Sequence, residues 1–125
     1  MKLASSIIVI IIVLLLIWSD SNMWEDGTYA VYYIDGDIKL GIKIDDKGSF
    51  HGRVDSKIIA VGANESYVVA KQLIAGSDSV SYFYIDKKKD NIYLNPDEIT
   101  EGPFTELQFK NLSQKLNFPN FSKEF

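Results

Sequence analysis

The segment "YAVYYIDGDIKLGIKI", Tyr29 to Ile44, constrains the fold of this chain more than any other. Asp35-Gly36 separates two apolar runs, and both residues suit the left-handed backbone of a two-residue hairpin turn. Such a turn sets the register: Tyr33 faces Ile38, Val31 faces Leu40 and Tyr29 faces Ile42. In the second run Ile38, Leu40, Ile42 and Ile44 alternate with Lys39, Gly41 and Lys43. Period two then gives this strand a core face and a wet face.

The next turn, "IDDKGSF", offers a three-residue loop, Asp46-Lys47-Gly48, with Gly48 at the left-handed position of a bulged hairpin. That register predicts Ile44 opposite Phe50, Ile42 opposite Gly52 and Leu40 opposite Val54. It buries Phe50 and Val54 and exposes His51 and Arg53. "KIIAVGANESYVVAKQL" predicts a further hairpin about Asn64-Glu65, apolar on both faces and therefore central or covered. "VSYFYID" reads as an aromatic strand, "KKKDN" as a charged turn, and "IYL" as a short last strand ended by Asn95-Pro96.

Helix-start grammar follows in "GPFTELQFKNLSQKLNF". Thr105 and Gln108 form a capping box, and Phe104 and Phe109 stand at the two positions of a hydrophobic staple. Phe109, Leu112 and Leu116 share one face, which packing on the sheet explains better than a free partner-binding helix. The tail "FPNFSKEF" is apolar enough to dock through Phe118, Phe121 and Phe125. The expected fold is mainly β (α+β): one antiparallel sheet of about seven strands with one C-terminal helix packed on it.

Ahead of this domain, Leu3 to Trp18 is apolar except for Ser5 and Ser6. Sixteen positions fall just short of the roughly 17–25 residues of a membrane span. Lys2, the apolar stretch and Ser19-Asp20-Ser21 also fit a cleaved export signal. The anchor is the preferred reading, because bulky residues persist to the end of the tract. Trp18 and Trp24 would then lie at headgroup level. Lys2 before the tract and Asp20, Glu25 and Asp26 after it place the N-terminus in the cytoplasm. Residues 1–18 are thus expected to be a single-pass anchor in a bacterial inner membrane. Residues 19–27 would be a linker, and residues 28–125 a domain on the periplasmic or extracellular side.

There is no cysteine to acylate or to form disulfides, so the domain must fold on its core alone. Once Lys2 and Asp20 are set aside, it carries twelve basic against sixteen acidic residues. That balance argues against nucleic acid as a partner. His51 is the one histidine, so no structural zinc site can be built, and no Gly-x-Ser-x-Gly elbow is present. Asp35, Asp37, Asp45 and Asp46 lie in turns at opposite ends of one strand and suit hairpins rather than a calcium loop. Gly62, Gly76 and Gly102 are isolated, with no phosphate loop. No cofactor, metal site or catalytic residue is expected.

One constellation stands out. In the register above, Lys39, Lys43, His51 and Arg53 share the outer face of two adjacent strands. They form a candidate binding surface for a protein that is acidic where it makes contact. The alternative is an ordinary solvated face with Asp55 opposite Lys39.

The succession "KIIAVGANESYVVAK", "YFYIDKKKDN" and "GPFTELQFKNLSQKLN" resembles a pattern in small exported bacterial envelope proteins, often lipoproteins, most of them without an assigned activity. The similarity runs from about Ser56 to Asn117 and rests on structural motifs. It implies an exported β-rich domain and no particular activity. In function the chain reads as a membrane-anchored, non-catalytic envelope protein that binds another protein. An immunity or inhibitor role against a secreted toxin or phage component fits. The rival is a small-ligand or lipid-binding module whose cavity is lined by Tyr82, Phe83, Tyr84 and the C-terminal phenylalanines; a hydrolase is a distant third.

Overall fold

A computed structural model describes residues 22–125. The anchor expected over residues 3–18 lies outside the described residues. Among those described, no helix is long and apolar enough to cross a membrane.

The chain is mainly β, but it builds two antiparallel sheets where one was expected. The first, in order β1-β2-β3-β4, comprises β1 (Asn22–Asp26), β2 (Tyr29–Ile34), β3 (Asp37–Lys43) and β4 (Phe50–Val54). The second, in order β8-β7-β6-β5-β9, comprises β5 (Ile58–Ala63), β6 (Tyr67–Leu73), β7 (Val80–Asp86), β8 (Glu101–Phe104) and β9 (Lys123–Glu124). Two helices, α1 (Pro96–Ile99) and α2 (Glu106–Leu116), flank β8 in the chain.

The first hairpin is as predicted. Asp35 and Gly36 both take positive φ, and Tyr33, Val31 and Tyr29 pair with Ile38, Leu40 and Ile42. Residues 22–26 are not linker: they form an edge strand, with Trp24 beside Val31. Trp24 is partly buried and packs against the core.

The β3–β4 hairpin departs from expectation by one residue, and that single step matters. The Asp45 carboxylate accepts the Lys47 and Ser49 amides, and Ile44 pairs with Ser49 across a four-residue loop. Phe50 therefore meets Lys43, and Ile42 meets His51. A one-residue slip sends each side chain to the opposite face. Phe50 turns outward and stacks on Tyr32 at 4.1 Å, while His51 turns inward. A bulge opposite Leu40 and Gly41 then restores the expected Leu40–Val54 pair. The bulge re-aims Arg53, which ends up 2 % exposed rather than on the surface.

The sheets share one core, with Tyr29, Val31, Leu40 and Ile42 from the first and Ile58, Val61, Val68 and Ile85 from the second. β5 and β6 are inner strands, as their apolar faces require. On the outer side of the second sheet α2 and the tail form another cluster, in which Phe109 meets Val69 and Tyr82 beside Phe104, Phe118 and Phe121. Thr105 accepts the Gln108 amide and Gln108 accepts the Thr105 amide, so the capping box is as read. The tail docks as expected: β9 pairs with β5, and Phe125 reaches the main core. Gly62 permits this, since a Cβ there would collide with the Asn120 carbonyl.

Ile92-Tyr93-Leu94 is not a strand. It belongs to an irregular loop ahead of α1 that covers the inner side of β4. The strand that completes the second sheet beside β7 is β8, which the sequence showed only as a helix start.

Candidate functional site

Lys39, Lys43, His51 and Arg53 do not form a free cationic face. Lys39 pairs with Asp55 at 3.3 Å, as the solvated-face alternative expected, and Lys43 pairs with Glu25 at 2.9 Å. The Lys43 bond, joined by one from Asn22, holds the Glu25 carboxyl below the usual range. His51 Nδ1 lies 2.9 Å from the Ile92 carbonyl. Arg53 is fully buried and cannot touch a partner.

What Arg53 does instead organises a different surface. Its Nε and Nη2 grip the two Asp90 oxygens at 2.9 and 2.7 Å, with both side chains at 0 % exposure. Nη1 donates to Gly52 and Leu94 carbonyls, and Nη2 donates also to Asn91. The Tyr29 hydroxyl adds a 2.8 Å bond to Asp90, and Thr100 donates to the Arg53 carbonyl. Burial, and then the Asp90 bond, push the Tyr29 hydroxyl well above the ordinary tyrosine range. With Arg53 and His51 taking its carbonyls, the loop from Lys87 to Asn95 needs no partner strand. Ile92 and Leu94 anchor it in the core, and Tyr93 between them stands 85 % exposed.

Beside this loop lies a cavity of about 240 Å³. Tyr67 and Tyr84 wall it, Asp86, Glu98 and Glu101 supply carboxylates, and Lys89 is the one cation. Leu94, Ile99 and Leu116 give it an apolar lining. Burial first, then the nearby Glu101, Tyr67 and Asp86, raise the Tyr84 hydroxyl above its ordinary value. Local chemistry positions the acids: Glu98 accepts the Asn95 amide at the start of α1, and one Asp86 oxygen accepts the Lys88 amide. The grooves beside Tyr82, of about 630 and 410 Å³, are larger but more open to solvent.

Of the aromatic residues expected to line a ligand cavity, Tyr84 walls the cavity of about 240 Å³ and Tyr82 borders the two open grooves, and both also pack on other rings. Tyr82 stacks on Phe109 at 4.9 Å and Tyr84 meets Phe118 at 4.8 Å, while Phe83 points into the main core. Sequence reasoning missed Tyr93, Asp90 and the carboxylate-walled cavity. The available signal was the charged turn "KKKDN" running into an alternating apolar triplet that ends at a proline.

Comparison with family models, with curated proteins and with solved structures gives no match.

Proposed function

We propose that this chain is a membrane-tethered bacterial envelope protein whose β domain binds another protein, in the manner of an immunity or inhibitor protein. The tether is the apolar tract of residues 3–18, with the domain on the periplasmic or extracellular side. The observation that carries the reading is the Lys87–Asn95 loop with Tyr93 at its crest. A fully buried ion pair contributes little net stability, because desolvation offsets much of its attraction. Its effect here is to hold a surface loop in one shape. A rigidly presented tyrosine offers large contact area with little entropy to lose on binding. Loops held on a stiff scaffold are where recognition residues concentrate.

The charge of the partner follows from the pairing. Four cations, Lys39, Lys43, Arg53 and Lys87, are matched by Asp55, Glu25, Asp90 and Asp26. Among the described residues this leaves eight lysines against twelve carboxylates. The case for an acidic partner rested on the strand-face cations, so the partner proposed now is basic where it makes contact.

A photo-crosslinking residue placed at Tyr93 or, as a control, at the exposed Tyr33 tests this in cells making the full chain. A discrete protein adduct from position 93 and none from position 33 is expected. Adducts from neither position, or the same adducts from both, would remove the loop as a binding surface.

A further inference from the structure

We propose that the cavity beside the Tyr93 loop is the seat of an arginine side chain of the partner. This rests on the protein-binding reading above and specifies its chemistry. At about 240 Å³ the cavity is smaller than the roughly 300–1,000 Å³ of drug-sized ligand sites, so it suits one side chain rather than a separate metabolite. A guanidinium brings five donors in a planar fork and no acceptor. The cavity brings acceptors. Glu101 is exposed, with no salt-bridge partner among the described residues, and Asp86 and Glu98 each give up one oxygen to a backbone amide and keep the other. Of the tyrosine hydroxyls among the described residues, only that of Tyr29 donates a hydrogen bond to protein. The hydroxyls of Tyr67 and Tyr84 are therefore available. The methylene stem of an arginine would lie along Leu94, Ile99 and Leu116, as such stems do on apolar surface. Three carboxylates against Lys89 leave the walls net negative, which complements a cation and repels an anion.

The position of the cavity strengthens the assignment. Lys89 and Leu94 belong both to its lining and to the loop that displays Tyr93. A partner that packs on Tyr93 therefore brings its neighbouring side chains over the opening. The Arg53–Asp90 pair fixes the loop and so fixes the distance between the two contacts.

The test uses the full chain in detergent micelles, titrated with N-acetyl-arginine amide and followed by NMR of the tyrosine rings. Saturable shifts at Tyr67 and Tyr84 are expected with this probe and not with N-acetyl-citrulline amide, its neutral isostere. Asp86→Asn with Glu101→Gln should weaken the arginine probe by about tenfold or more, because charge-assisted hydrogen bonds are roughly twice as strong as neutral ones. Lys89→Gln should tighten it, a change that leaves the carboxylates intact. Equal binding of the two probes, or no saturable shift at these tyrosines, would overturn the assignment. A partner still crosslinked from position 93 while the arginine probe fails would sink the cavity and spare the protein-binding reading. Probe binding without any crosslinked partner would do the reverse.

Discussion

Arg53 Nη2 lies 2.7 Å from Asp90 Oδ1, and neither side chain touches solvent. The pair joins an edge strand of the first sheet to the loop that follows β7 of the second, across 37 positions of sequence. Breaking it from one side leaves a bare charge in the interior. Arg53→Met should cost about 3–5 kcal/mol. The double change Arg53→Met with Asp90→Leu should recover only part of this, because the Gly52, Asn91 and Leu94 carbonyls lose their donor as well. Denaturant melts of the single and double variants measure the difference. A single variant with unchanged stability would show that the loop does not depend on the pair.

The Tyr29 hydroxyl gives the domain a limit at alkaline pH. Its folded pKa is raised by burial and by the Asp90 bond, while the unfolded chain releases the proton near the ordinary value of about 10. Above that pH the unfolded state binds fewer protons than the native one, so stability falls as pH rises. The denaturant midpoint should hold steady to about pH 9 and then decline. Tyr29→Phe should make that decline shallower, with Tyr32, Tyr82 and Tyr84, also raised by burial, supplying the remainder. An identical slope in Tyr29→Phe would rule this tyrosine out.

The strand-face lysines should behave quite differently from Arg53. Lys39→Met and Lys43→Met each remove an exposed pair worth about 0.2–1 kcal/mol, and the loss should shrink in high salt. Lys43→Met should also raise the titration midpoint of Glu25 toward an ordinary carboxylate, since the Lys43 bond is the main cause of its depression. NMR titration of the Glu25 side chain reads this directly. A midpoint that stays put would mean the pair does not persist in solution.

The α2 start can be tested through its cap and its anchor. Thr105→Ala should cost about 1 kcal/mol. Phe109→Ala should cost about 3–5 kcal/mol, because Phe109 packs between Tyr82, Phe118 and Phe121. Leu112, only half-buried, should cost less when truncated. Melting temperatures in that order are expected; a Leu112→Ala loss larger than that of Phe109→Ala would mean the helix sits on the sheet through another face.

Features set by neighbours in the chain were legible in the residues themselves. Asp35-Gly36 determined the first hairpin because its backbone preference and the flanking period are local. The Thr105–Gln108 box and the Phe104–Phe109 staple marked the helix for the same reason. The double-sided apolar runs about Asn64-Glu65 correctly announced inner strands. What tertiary structure alone decided begins at one residue. Asp45 captures two amides, the β3–β4 loop gains a position, and the slip carries His51 and Arg53 from the wet face to the buried one. Alternation in Ile92-Tyr93-Leu94 looked like a strand, yet its carbonyls go to Arg53 and His51, some 40 positions earlier. The division of the strands into two sheets, the use of residues 22–26 as an edge, and the fit of the tail over Gly62 likewise depend on surfaces meeting after the local elements exist. The candidate site lies wholly in this second class, since its carboxylates and tyrosines come from four elements that no local pattern links.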